Sequence, residues 1–175
     1  MRDPVQRAER RARFLEALYV HSGSDQLELV DGREIAVELD LSEAEADAIG
    51  GELVQRGFAP PPQTGSDFQI TTKGIIGAEE RILNTPDHPR QDLVMGRRER
   101  RVELLQYVYD ASGQSTLAFI DDFSGFDADA SERRSLSQYL AGLGLVRHEG
   151  VDGLAITASG MAWIEESGDD DSLRL

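Results

Sequence analysis

The sequence predicts a mainly α-helical α+β protein made of two tandem copies of one small domain, each ending in a short β-hairpin and a closing helix. The first observation behind this is a repeat. Ile70-Thr71-Thr72-Lys73-Gly74-Ile75-Ile76-Gly77-Ala78-Glu79-Glu80 returns 86 positions later as Ile156-Thr157-Ala158-Ser159-Gly160-Met161-Ala162-Trp163-Ile164-Glu165-Glu166, with five of eleven positions identical. The second lies upstream, where residues 12–23 align with residues 102–113 at an offset of 90. The drift between the offsets makes the second copy four residues shorter between these anchors. The third is that each copy runs through the same series of periodic segments in the same order.

In the first copy, Ala8, Ala12, Leu15 and Tyr19 recur at helical spacing, with Phe14 and Leu18 widening the apolar stripe. Residues 21–26 break it with Ser and Gly. Asp31 then opens a short helix, with Glu34 completing a capping box and Ile35, Ala36 and Leu39 facing inward. Ser42 and Glu45 repeat that signature ahead of a third helix whose buried face is Ala46, Ile49, Leu53 and Val54. Gly57 suits its C-terminal left-handed position. Phe58-Ala59 and Phe68-Gln69-Ile70 read as strands around a Pro/Gly/Ser-rich tip, and Thr72 as the cap of a last helix to about Leu83.

The second copy predicts a helix over 98–111 with Val102, Leu105, Val108 and Tyr109 inward. A short helix over 116–123 follows. Asp129 and Glu132 then cap a third helix burying Leu136, Tyr139, Leu140 and Leu143, which Gly144 ends. Residues 145–148 and 154–156 read as strands about a tip at 149–153, and Thr157 starts the closing helix. Phe119, Phe123, Phe126 and Trp163 read as core of this copy or of its contact with the first. The expected division is residues 1–83, a Pro-containing linker at 84–96, residues 97–167, and an acidic, frayed tail at 168–175.

Composition narrows the function. Without cysteine there are no disulfides and no thiolate chemistry. His21, His88 and His148 lie in no metal-ligand spacing, so neither a metal nor a cofactor is expected. There is no Gly-rich phosphate loop and no nucleophile turn, and the adjacent Asp121-Asp122 pair reads as solvated surface. The expectation is therefore a protein without catalytic residues. No apolar run is long enough to span a membrane, and no signal-peptide core follows Met1, so a cytoplasmic location is expected. The net charge of −15 opposes any polyanion unless the positive charges gather on one face. Seventeen arginines against one lysine, together with this acidity, resemble the composition of halophile proteins.

Gly32-Arg33-Glu34-Ile35-Ala36-Val37-Glu38-Leu39-Asp40-Leu41-Ser42, followed by Leu53-Val54-Gln55-Arg56-Gly57-Phe58, resembles the turn and third helix of bacterial and archaeal winged-helix regulators. The I-T-x-x-G wing closure at Ile70–Gly74 and Ile156–Gly160 completes the likeness. The resemblance covers nearly the whole chain as two copies, and it departs at residues 119–131, where the I-A-x-x-L pattern is missing. It implies two tandem winged-helix domains. It specifies function poorly, because such domains bind DNA in some proteins and other proteins in others.

In winged-helix regulators the third helix enters the major groove and the wing touches the backbone. The first copy's third helix carries Glu43, Glu45, Asp47 and Glu52 against Arg56 alone, which is poor chemistry for a groove. The second copy offers Arg133, Arg134, Ser137 and Gln138 on the third helix, with Arg147 and His148 leading into the wing. A further arginine cluster opens each copy: Arg7, Arg10, Arg11 and Arg13, and Arg97, Arg98, Arg100 and Arg101. Of these, Arg97, Arg98 and Arg101 extend the expected contact with double-stranded DNA. The bland alternative is a solvated face paired with nearby carboxylates.

The leading expectation is thus a DNA-binding transcriptional regulator in which domain 2 makes most contacts and domain 1 docks a protein partner or a second copy. The alternative is a non-enzymatic protein–protein adaptor, similar in architecture and charge to the tandem winged-helix proteins of chromosome-segregation complexes. The two differ in one observable: a contiguous positive face including Arg133, Arg134 and Arg147, or those arginines dispersed among carboxylates.

Overall fold

The computed structural model describes residues 4–62, 66–114, 116–124 and 129–167. The chain divides into two compact units, Met1–Pro89 and Arg90–Leu175, each mainly helical with a small antiparallel sheet. The expected tail at 168–175 and Phe126 lie outside the described residues.

Unit 1 runs α1 (Pro4–His21), β1 (Val30–Asp31), α2 (Gly32–Glu38), α3 (Glu43–Gln55), β2 (Asp67–Phe68) and α4 (Thr72–Asn84). Phe14, Leu15, Leu18 and Tyr19 of α1 are buried, whereas Ala8 is exposed, because the first two turns of α1 carry arginines rather than core. Ser42 Oγ accepts from the Glu45 amide while the Glu45 carboxylate accepts from the Ser42 amide, so the capping box at α3 forms as its spacing predicts. At α2 the cap is one-sided, with Asp31 accepting from the amide of Arg33 at 2.9 Å. The cap of α4 is Thr71 rather than Thr72.

The strands of unit 1 depart from expectation. Phe58-Ala59 is not a strand; β2 pairs instead with β1, Val30 opposite Phe68 and Asp31 opposite Asp67. The consecutive Pro60, Pro61 and Pro62 have no amide hydrogens to donate to a ladder, so the chain leaving α3 cannot extend one.

Unit 2 runs α5 (Gln91–Gly113), β3 (Ala118–Phe119), a 3-10 turn (Ile120–Asp122), α6 (Ala130–Gly142), β4 (Val146–Glu149), β5 (Gly153–Ile156) and α7 (Ala158–Ser167). The helix α5 begins seven residues before Arg98, so only residues 85–90 separate it from the end of α4, less than the 84–96 linker the sequence suggests. Nothing after Pro89 breaks a helix: Gly96 is tolerated in the interior, and Val94 is buried. The short helix expected at 116–123 is a strand and one 3-10 turn. Ala118 pairs with Leu154 and Phe119 with Gly153, so sheet pairing outweighs local helical preference. The sheet order is β3-β5-β4. Its core gathers Leu104, Leu105, Val108, Ile120, Phe123, Leu136, Leu140, Leu145, Val146, Leu154 and Ile156, with Val102, Tyr109, Leu143 and Trp163 partly buried against it. Phe119 is exposed on the edge strand, contrary to its expected place in the core.

The repeat seen in the sequence is one joint built twice. Gly57 and Gly144 end α3 and α6 at φ +75° and +73°, a region glycine enters without steric cost. The next amides, of Phe58 and Leu145, bond back to the carbonyls of Leu53 and Leu140 at 2.9 and 3.0 Å. Thr71 and Thr157 donate their hydroxyls to the carbonyls of Gly57 and Gly144 at 2.7 and 2.6 Å, and their amides to those of Phe58 and Leu145 at 3.0 Å in each case. Those hydroxyl oxygens accept from the Gly74 and Gly160 amides at 3.0 and 3.1 Å. The I-T-x-x-G motif is therefore the clasp that ties the end of the third helix to the start of the closing helix.

Candidate functional site

In unit 1 the arginines of α1 and the carboxylates of α3 answer one another. Arg11 reaches Glu52 at 2.8 Å, Arg7 bonds the same carboxylate, and Arg10 reaches Glu45 at 2.8 Å; Arg13 pairs with Glu9 four residues back. From α4, Arg81 bonds Glu9 at 2.8 Å and also Glu16. Two of the four carboxylates that make α3 acidic thus hold α1 in place, and Arg7, Arg10, Arg11 and Arg13 are each paired with a carboxylate of the same unit.

These contacts carry a pH signature. Arg81, the chief cause, holds the Glu9 carboxyl below the usual 4.5, with Arg13 adding to it. Burial pushes Glu52 up, but the hydrogen bonds from Arg11 and Arg7 outweigh it and the net displacement is downward. Carboxyls lowered in the fold stabilise it above their unfolded value, and that contribution is lost as pH falls through the lowered values. The thermal midpoint of unit 1 should therefore decline as pH drops below about 4.5, a decline that a Glu52→Gln variant makes shallower. Circular dichroism melts from about pH 6 to about pH 3 check this; an unchanged acid slope in the variant contradicts it.

In unit 2 the first half of α6 faces the tip of the β4–β5 hairpin across a cleft of about 210 Å³. Four of the residues singled out from sequence line it: Arg134, Ser137, Gln138 and His148. Arg134 and Gln138 stand four residues apart and so share a face of α6. Arg134 is exposed, and neither its side chain nor that of His148 takes a hydrogen bond or ion pair among the described residues. The Oε1 of Gln138 is enclosed with no hydrogen-bond partner. Ser137 is wholly buried and donates to the carbonyl of Arg134 at 2.8 Å, so its hydroxyl is turned back on its own helix.

The remaining candidates stand elsewhere. Arg133 is half-buried and points inward to the carbonyl of Phe123 at 3.4 Å. Arg147, exposed on β4, pairs with Glu149 at 2.6 Å. Arg97 and Arg98 are half-buried on α5, both held by other contacts. Arg101 is a correction to the expected DNA contact: only 1 % of it is exposed, and its guanidinium lies 3.7 Å from the ring centre of Tyr139. It falls on the apolar face of α5, in register with Val94, Leu104, Leu105 and Val108, where its stem packs as a core side chain. Arg100, beside it, bonds Glu132 at the start of α6.

The cleft also holds residues the sequence gave no reason to join. The Ile120 amide donates to the Asp152 carbonyl at 3.0 Å, tying the 3-10 turn to the hairpin and bringing Asp121 and Asp152 to one rim. Ile120, Ala130 and Val151 supply apolar wall, and Val151 is 91 % exposed at the tip. The cleft sets the guanidinium of Arg134 against the carboxylates of Asp121 and Asp152. At this volume it is below the several hundred cubic ångströms of a typical small-molecule site, but roomy enough for one side chain.

Among the described residues there is no group of three or more His, Asp or Glu placed to hold a metal ion, and no helix long and apolar enough to cross a membrane. No family model, curated protein or solved structure matches this chain.

Proposed function

We propose that the chain is a pair of winged-helix modules acting by binding, and that unit 2 uses its α6–hairpin cleft as a protein–protein adaptor. The element order supports the fold reading: helix, helix, helix, hairpin, helix in unit 2, with its second helix reduced to a 3-10 turn. The observation that carries the functional reading is the disposition of charge. Arg133 is turned inward, Arg147 is paired with Glu149, and Arg134 shares its cleft with Asp121 and Asp152. A duplex would bring phosphates against those carboxylates, with one free guanidinium to offset them. A polypeptide can meet both signs and also bury a side chain against Ile120 and Val151.

Duplex DNA is the second reading. It is favoured by the free Arg134 and His148 and by the unsatisfied Gln138, which lie on the helix and hairpin that would face a groove.

A photo-crosslinking side chain installed at Val151, with the likewise exposed Val37 of unit 1 as control, tests the adaptor reading in cells expressing the full chain. A discrete protein adduct is expected from Val151 and not from Val37, and it should vanish when Arg134→Glu and Asp152→Arg invert the cleft. Adducts from both positions, or one indifferent to the inversion, contradict the reading.

A further inference from the structure

We infer that unit 1 carries a separate binding site for a small organic monocation with an aromatic or aliphatic body, in the cleft between α3 and β2. This inference does not depend on the adaptor reading of unit 2. The cleft measures about 410 Å³, within the range of small-molecule sites and about twice the volume of the cleft in unit 2. Its floor is the face of α3 that carries Asp47, Gly50, Gly51 and Val54, positions that coincide on a helix. Opposite it lie Arg33, Pro62, Ser66 and the 5 % of Phe68 that is exposed.

Phe68 packs edge-to-face on Phe14, with ring centres 5.6 Å apart at 87°. A side chain at Gly50 would bring a Cβ to 2.2 Å from the ring, and one at Gly32 to 2.5 Å, so both glycines are needed to seat it. Gly51 is different. A Cβ there meets nothing within 4 Å, so no packing demands glycine at a helix-interior position where alanine is favoured. The structural consequence of Gly51 is the open space above it, beside Val54.

The charge of the rim selects the ligand. Arg33 and Glu43 lie 3.7 Å apart and offset one another. Asp47 is exposed, and its carboxylate takes no hydrogen bond or ion pair among the described residues. One uncompensated carboxylate suits an ammonium whose apolar body lies along Gly51 and Val54. The net charge of −15 further favours a cation over an anion of the same shape.

The test uses three probes of similar body: phenethylammonium, 2-phenylethanol and 3-phenylpropionate. Titrated into the full-length protein and followed by amide chemical shifts and calorimetry, phenethylammonium should move the amides of Asp47, Gly50 and Gly51. It should bind at least about tenfold more tightly than the other two. Asp47→Asn should bring its affinity down to that of the alcohol. Gly51→Leu should abolish binding while preserving or raising the thermal midpoint, which separates loss of the site from loss of the fold. Equal affinity for amine and alcohol, shifts centred elsewhere, retained binding in Gly51→Leu, or no binding of any probe at millimolar concentration would each overturn the inference.

Discussion

Gly160→Ala is expected to destabilise unit 2 by about 3 kcal/mol or more, a large fraction of what a domain of this size has. An added Cβ would stand 2.1 Å from the carbonyl oxygen of Leu145 and 3.0 Å from its carbon. That carbonyl cannot swing aside freely, because it accepts the amide of Thr157 at 3.0 Å and follows the left-handed Gly144 that ends α6. Relief requires opening the clasp between α6 and the closing helix. Gly74→Ala should act likewise in unit 1, where the Cβ would stand 2.2 Å from the Phe58 carbonyl oxygen. Gly96→Ala is the control: a Cβ there meets nothing within 4 Å in the second turn of α5, so the variant should gain about 0.5–1 kcal/mol. Hydrogen–deuterium exchange on the full chain resolves the two units. Faster exchange confined to the unit carrying the substitution is expected, and native protection in Gly160→Ala would refute the account of the clasp.

Arg101→Ala should cost unit 2 about 3 kcal/mol. The substitution removes a long buried stem from between α5 and α6 and withdraws the guanidinium from the face of Tyr139. If Arg101 were a surface contact for phosphate, its loss would leave stability within about 0.5 kcal/mol of the parent and weaken only nucleic-acid binding. Urea unfolding followed by unit 2 amide signals distinguishes the outcomes. Arg101→Lys should recover part of the packing but not the planar stacking, and so fall between them.

The same residue marks where the sequence could and could not be read. The repeat, the caps at Ser42 and Asp129 and the left-handed Gly57 and Gly144 are local chemistry, and each was legible from a few neighbouring residues. The β4–β5 hairpin was legible because its two four-residue strands are separated by a short glycine-containing turn. By contrast, β1, β2 and β3 are two residues long and exist only through partners more than thirty positions away. Local pattern points only to β2, through the strand expected at 68–70, which shares Phe68 with it. Arginine is ordinarily exposed, so residue type alone places Arg101 on the surface. Its spacing from Val94, Leu104 and Val108 was the signal that it occupies a core position.

The candidate cleft was half legible. Arg134 and Gln138 at helical spacing, with His148 on the hairpin, come together as the sequence suggests. Asp121 and Asp152 lie in turns 31 positions apart, and only the bond from Ile120 to Asp152 sets them side by side. Their arrival reverses the charge of the cleft, and with it the preferred reading. The arginines of α1 show the same principle: the sequence allows either a basic surface or pairing with nearby carboxylates, and the partners of Arg7, Arg10 and Arg11 are the distant Glu45 and Glu52.

The central claim is that the cleft of unit 2 is not a phosphate-binding face, and fluorescence anisotropy of a labelled random duplex across a salt series addresses it directly. The account predicts no saturable binding by the full chain even at low salt, and no difference between the parent and Arg134→Ala. Anisotropy that saturates, weakens linearly in log–log form with rising salt and is lost in Arg134→Ala would contradict it and establish the duplex reading.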